Sequence, residues 1–298
     1  MNWLPPPYVP AKDVRSMTQL LDRPTTRHTS APAPATDATT SLCNRLITAS
    51  NLQQVRDAWT LVYHVYSQAG LIDENPHQLH TSPCMIGDRT AVFARYDADG
   101  LIQATLSTVA DGPDGLPLDS VYPDELDALR NQGVRLSEVG LFADASQLLC
   151  DTNTLSDGSG FKPRGTARQC AEMLIELTAM AFYFARYWDV ETLLIGVHPR
   201  HAPFYERMWG FEHYGEERSY AAVNHRPVVL MRQPWQTWVD RPRQPRAFAR
   251  TLHDPIPHAQ FDGRYRFDRH SPAMYRSPLG QWLRMTDTMG PTAAGSAA

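Results

Sequence analysis

Gly196-Val197-His198-Pro199-Arg200-His201-Ala202-Pro203-Phe204-Tyr205-Glu206-Arg207-Met208-Trp209-Gly210-Phe211 reads as a strand end, a tight break, a short helix and a glycine exit. The run from Glu191 to Val197 is rich in leucine and β-branched residues, which suits a strand covered on both faces. Pro199 cannot donate to a ladder and stops it. The helix predicted from Ala202 to Trp209 ends at Gly210, because glycine enters the left-handed C-terminal cap without a Cβ penalty.

Upstream, Ala167 to Trp188 is the longest helix candidate, with Cys170, Met173, Leu174, Leu177, Ala181 and Phe184 on one stripe and Arg168, Glu172 and Glu176 on the other face. A second amphipathic helix carries Leu52, Val55, Trp59, Val62 and Tyr66 at helical spacing. Between these helices, Thr90–Tyr96 and Leu101–Val109 form strands joined by Asp97-Ala98-Asp99-Gly100, a hairpin signal. A Gly/Pro/Asp loop at Asp111–Asp119 leads into a short helix at Tyr122–Asn131, with Pro123 at its start and Gly133 past its end. The chain then returns as a strand at Arg135–Phe142, followed by a polar insertion from Asp144 to Arg164. Downstream, Tyr220–Val223 and Val228–Arg232 are read as closing strands.

Met1 to Ser41 is dominated by Pro, Thr, Ala and Ser, a composition that buries too little to offset ordering entropy, although Asp13–Leu21 has short-helix character. Beyond Pro234 the period is lost, yet Phe248, Phe261, Tyr265 and Phe267 predict a segment packed on the body, with Thr288–Ala298 as a tail. The chain of 298 residues, 42% hydrophobic, can build a sizeable core. Its formal net charge of −4, with both signs dispersed, argues against a nucleic-acid face. Lysine occurs only at Lys12 and Lys162, an arginine bias that carries no mechanism. Cys43, Cys84, Cys150 and Cys170 lack zinc-site spacing and read as free thiols. No apolar run reaches the roughly 18–20 residues of a membrane span, and Trp3-Leu4 followed by prolines is no secretory signal, so the cytoplasm is the expected compartment.

Four blocks in order give a more specific reading. They are Arg56 to Gly70 with its paired tyrosines; Thr105 to Asp111 with Gly115-Leu116-Pro117-Leu118-Asp119, Tyr122, Glu125-Leu126-Asp127, Leu129-Arg130 and Gly133; Leu136-Ser137-Glu138-Val139-Gly140-Leu141-Phe142-Ala143; and the segment from His198 to Phe211. Over Leu46 to Gln233 these blocks resemble the N-acyl amino acid synthases, GNAT-like acyltransferases related to the acyl-homoserine lactone autoinducer synthases. The resemblance implies an α/β (α+β) fold with a GNAT-like mixed, mostly antiparallel central sheet flanked by helices. It divides the chain into an N-terminal arm (1–42), an acyltransferase domain (43–235) and a C-terminal extension (236–298). The implied activity is transfer of a fatty acyl chain from acyl carrier protein to the amine of an amino acid. Its implied partners are that carrier protein and the amino acid, with no cofactor or metal. An acyl-homoserine lactone synthase, an acyl-CoA-dependent N-acetyltransferase and a catalytically silent lipid- or partner-binding module are the alternatives.

The chemistry needs a base for the amine, donors for the carbonyl oxygen and a proton for the leaving thiolate. Glu138, mid-strand in a segment suited to burial, is the candidate base; otherwise it faces solvent or pairs with Arg135. The backbone amides of Leu141 and Phe142, next to Gly140, are the candidate oxyanion donors. By the resemblance, Tyr205 faces the thioester sulfur and can protonate it; otherwise it is a core aromatic beside Phe204 and Phe211. His198 and His201 rank below it as capping residues. Arg56, matched to the family's first helix, and Arg135 are the candidate clamps for an acceptor carboxylate, with Arg95 a further candidate. Lys162, Arg164, Gly165 and Arg168 form a basic segment for the carrier, and its single glycine departs from the glycine-rich nest that holds a coenzyme A pyrophosphate. Met173, Leu177, Met180 and Phe184 either line an acyl tunnel or form ordinary core.

Overall fold

The computed structural model describes residues 45–149, 167–240, 246–268 and 272–288. The N-terminal arm, the helical stretch at 13–21, most of the polar insertion and the last ten residues lie outside that range.

Strand β1 (Arg45–Thr48) precedes helix α1 (Leu52–Gln68), whose N-cap Asn51 accepts from the Gln54 amide at 3.0 Å. The expected hairpin is present as β2 (Thr90–Tyr96) and β3 (Ile102–Ala110), in register Phe93 opposite Leu106. Helix α2 (Pro123–Asn131), with its first-turn proline, leads to β4 (Leu136–Asp144). Helix α3 (Ala167–Tyr187) and β5 (Thr192–Val197) follow, then α4 (Ala202–Trp209) and β6 (Glu212–His213). β7 (Arg218–Tyr220) and β8 (Arg226–Pro234) complete the sheet. The strand expected at Tyr220–Val223 therefore lies earlier. Ala221–Val223 is a 3-10 turn, and Asn224 and His225 then take positive φ of 50° and 57°, which ends the extended run.

The sheet order is β1-β2-β3-β4-β5-β8-β6, with β7 on β8, and every pair is antiparallel except β4 with β5. One core lies on the α1 face around Trp59, Leu61, Val62 and Leu126; the other lies on the α3 face around Phe93, Leu177, Phe184 and Trp209. The C-terminal segment enters both. Phe267 stacks on Trp59 at 5.4 Å, while Phe261 is fully buried between Phe93 and Phe184. Tyr265 donates its amide to Ala49 O at 2.7 Å.

Helix α4 closes at Gly210 with φ 71° and ψ 26°, the left-handed cap anticipated from its sequence. A side chain there costs about 1–2 kcal/mol, so Gly210→Ala is expected to lower the thermal midpoint by a few degrees. Differential scanning calorimetry checks it. Among the described residues no helix is long and apolar enough to cross a membrane.

Candidate active site

The site is created where two parallel strands part. β4 pairs with β5 only over Leu136–Glu138 against Thr192–Leu194; β5 continues along β8 as far as Val197 opposite Val229. Across the β3 edge, Thr105 faces Ala143 and Ser107 faces Gly140, so Leu106 is opposed by both Leu141 and Phe142. This is a β-bulge, and Leu141 sits at φ 52° within it. It also changes the phase of the strand, since Leu141 packs with the α1-face core and Phe142 with the α3-face core. Past Glu138 no strand accompanies β4 on the β5 side, and a cavity of about 610 Å³ fills the wedge.

The cavity passes through the sheet. On the α3 side its walls are apolar, including Leu174, Phe182, Ile195, Trp209 and Phe211. On the α1 side they include Tyr66, His80, Glu138, Tyr220 and Arg226. Leu174, Thr178 and Phe182, four residues apart on α3, supply its lining. Of the four residues read as a tunnel wall or core, Leu177, Met180 and Phe184 are buried in the core and Met173 packs against it, and none lines the cavity.

Glu138 is 5% exposed and points into this wedge. Its Oε2 accepts the Leu118 amide at 2.8 Å, and it makes no pair with Arg135. Burial is the main cause raising its pKa from an ordinary 4.5 to about 8; the Leu118 hydrogen bond opposes the rise and nearby Asp119 adds to it. Leu118 is presented by the 3-10 turn Pro117–Ser120, which packs on β5 where a Cβ at Gly196 would come within 2.7 Å of Leu118 Cδ2. Arg130 anchors the turn, reaching Asp111 Oδ2 at 2.7 Å through Nε and Asp119 at 2.6 and 2.7 Å through its terminal nitrogens.

Tyr205 lines the same cavity among Phe204, Trp209 and Phe211, and burial raises its pKa to about 12. Tyr66 of α1 lies close enough for Tyr205 to add to the burial that keeps its hydroxyl protonated. Tyr220 is held protonated by burial and, next, by the charge of Glu138, against a hydrogen bond with Ser120. His80, packed on Tyr66 at 5.4 Å, is pushed down to about 4 by burial, as is His201. His198 is lowered too; its Nδ1 accepts the Arg200 amide at 3.3 Å, the capping role expected for it.

Thus Glu138, Tyr205, Leu141 and Phe142 converge on one cavity. Arg56 and Arg135 do not line it: both are exposed, and Arg135 is engaged with Asp189 O and Glu191 at the opposite end of β4. Arg95 pairs with Glu176. Lys162, Arg164 and Gly165 lie outside the described residues, and Arg168 is described only as backbone of α3. Tyr66, His80, Leu118, Tyr220 and Arg226 are wall residues not singled out as site candidates from the sequence. Tyr66 belonged to the quoted paired tyrosines and Leu118 to the quoted Gly115–Asp119 block, whereas His80 comes from a loop and Tyr220 and Arg226 from the β7–β8 hairpin, with no local signature. Among the described residues no group of His, Cys, Asp or Glu is arranged to hold a metal ion.

Comparison with known proteins agrees with this architecture. The family model "N-acyl amino acid synthase FeeM" matches residues 57–156 and 145–234. The solved structure of FeeM, an N-acyl amino acid synthase from uncultured soil microbes, is 23% identical, with a TM-score of 0.50 over 65% of this chain and 97% of that one. MesI, a CoA-dependent acyl-homoserine lactone synthase, is 9% identical, with a TM-score of 0.44 over 70% of this chain and 93% of that one. The acyl-homoserine lactone synthase LasI is 12% identical, with a TM-score of 0.41 over 63% and 87%. A search of curated proteins found no match. With more than half of its length matched by the family model, on a GNAT-like sheet that forks at a buried glutamate, the chain belongs to the FeeM family of N-acyl amino acid synthases and is an N-acyltransferase.

Proposed function

We propose that this N-acyltransferase moves a fatty acyl chain from the thioester of acyl carrier protein to the amine of an amino acid. The observation that carries the reading is the through-sheet cavity, apolar on the α3 side and with Tyr66, His80, Tyr220 and Arg226 set among apolar residues on the α1 side, with Glu138 at the fork between them. The acyl chain occupies the apolar side and the amine reaches Glu138 from the other. With a pKa of about 8, Glu138 is close to the value of an α-amino group, about 8, and to that of a thiol, about 8.5, so one carboxylate serves both proton transfers. It takes a proton as the amine nitrogen attacks the thioester carbon. It returns that proton, directly or through water, to the thiolate when the C–S bond breaks, leaving an amide and a free thiol. The bulge amides of Leu141 and Phe142 receive the negative oxygen in between.

Tyr205, at about 12, does not surrender its proton to a thiolate of pKa about 8.5. Its role is a hydrogen bond to the departing sulfur. Tyr205→Phe is accordingly expected to lower kcat about 10- to 100-fold, the range for a hydrogen bond to a charged group, with little change in KM. Steady-state kinetics on an acyl carrier substrate test this.

The carrier assignment draws support from the basic, single-glycine segment Lys162-Pro163-Arg164-Gly165-Thr166-Ala167-Arg168, which lacks the consecutive glycine amides of a pyrophosphate nest. It places the enzyme in the cytoplasm with its carrier. The thioester supplies its own activation, so the proposed reaction calls for no cofactor. The test is mass spectrometry of lipid extracts from cells expressing wild type or Glu138→Gln. N-acyl amino acids present only with wild type are the expected result and identify acceptor and chain length together; extracts without them overturn the reading. Purified enzyme offered acyl carrier protein and coenzyme A thioesters separately decides the donor.

A further inference from the structure

One permanent cation lines the cavity among the described residues, and the proposed acyl transfer as described gives it no role. Arg226 opens β8 and stands directly opposite Tyr220 of β7, the residue that senses the charge of Glu138. Directly opposed residues of an antiparallel pair have Cβ atoms about 4.5–5.5 Å apart. Its Nη2 lies 3.9 Å from where a Cβ on Gly70 would stand, so the guanidinium rests over the C-terminal end of α1. No hydrogen bond or ion pair engages that guanidinium among the described residues.

The hairpin that carries it is held in place. Arg218 of β7 bonds Glu125 Oε1 at 2.5 Å and Val121 O at 2.6 Å, and the Tyr122 hydroxyl lies 2.7 Å from Val228 O and 2.8 Å from Glu216 O. The neighbouring charges leave Arg226 as the anion receptor. His80, His198 and His201 are all pushed toward the neutral form, while Asp119 is paired with Arg130.

We propose that Arg226 binds the carboxylate of the acceptor, fixing it on the α1 side so that its amine faces Glu138, and that it thereby selects α-amino acids over simple amines. The proposal rests on the acyl-transfer reading. A guanidinium matches a carboxylate through two parallel N–H donors and loses that fit when the carboxylate becomes a neutral amide. A phosphate on the carrier's pantetheine arm would be the other anion of suitable chemistry. Arg226 stands with the wall that carries Glu138, on the face opposite the apolar chamber, which favours the acceptor.

The test uses two probes, N-dodecanoylglycine and its primary amide, titrated by calorimetry into the full-length wild type, Arg226→Gln and Arg226→Lys. Wild type is expected to bind the carboxylate at least about tenfold more tightly than the amide. Arg226→Gln should bind both equally at the amide's affinity, and Arg226→Lys should fall between. Turnover is followed in parallel, with an acyl-pantetheine thioester and its 4′-phosphorylated form as donors. If Arg226→Gln keeps the carboxylate preference while wild type turns over, the clamp is overturned and the acyl-transfer reading stands. If wild type binds the carboxylate selectively but transfers no acyl group, the clamp stands and that reading fails. A rise in KM confined to the phosphorylated donor would assign Arg226 to the carrier arm and overturn the proposal. Arg226 is exposed and bears no structural bond, so an unchanged melting curve is the expected control.

Discussion

Replacing Glu138 by glutamine is expected to lower kcat/KM for acyl transfer by about 10²- to 10⁴-fold, the usual contribution of a positioned acid–base group, while the fold stays intact. Glutamine is close in shape and its carbonyl oxygen can still accept the Leu118 amide that Glu138 Oε2 now holds at 2.8 Å. The loss is therefore one of proton transfer. In wild type the rate should climb with pH and level off above about 8, where Glu138 becomes the carboxylate. The residual rate of Glu138→Gln should lack that rise. A pH profile shared by both proteins would remove Glu138 from the chemistry.

The same substitution has an opposite effect on stability. Burial raises the Glu138 pKa from 4.5 to about 8, so the folded state favours the neutral acid. The stabilising contribution is complete below the unfolded value of 4.5 and is lost as pH rises from there through about 8, because the unfolded chain gains the freedom to ionise while the folded protein still holds the acid neutral. Glutamine never ionises. The melting temperature of Glu138→Gln should therefore match wild type near pH 4.5 and exceed it by a widening margin up to pH 8.5, as function is exchanged for stability.

Much of the fold could be read in the sequence because its signals are local. The strand Thr192–Val197, the helix Ala202–Trp209 and its Gly210 cap depend on neighbours within a few residues, and all three lie where they were expected. The Asp97–Gly100 hairpin is of the same kind. Arg56 also had a local signal, since it follows Val55 in a stripe that continues through Trp59 and Val62 and so falls on the exposed flank of α1. The resemblance drew it into the site against that pattern. What the sequence did not disclose is long-range. The bulge at Leu141 exists only relative to Leu106 on β3, and the fork only relative to β5. Arg226 reaches the cavity because the turn at Asn224 and His225 reverses the chain and sets it opposite Tyr220, a pairing that the reading of Tyr220–Val223 and Val228–Arg232 as separate strands does not give. Glu138 was legible as a candidate, but its Leu118 partner, 20 residues earlier in a loop, was not.

That loop is the weak point of the site. Arg130→Leu is expected to destabilise the protein by about 2–4 kcal/mol, because it strands Asp111 and Asp119 without their shared cation in a half-buried place. Arg130 touches no reacting atom in the proposed chemistry, so its effect on catalysis runs through position and charge. Without the guanidinium the Pro117–Ser120 turn loses its anchor, and the Leu118 amide that favours the charged form of Glu138 is released. Asp119, which already raises the Glu138 pKa, then acts unopposed. Both changes push in one direction, so the rise of kcat/KM with pH should move above its wild-type midpoint near 8, and activity at pH 7 should fall by about 10- to 100-fold, one to two units of added shift. A role limited to folding would lower the amount of active enzyme without moving the midpoint. Arg130→Lys separates the contributions further: the ammonium keeps a charge beside Asp119 but cannot fork between two carboxylates, so it should restore most of the midpoint and only part of the stability.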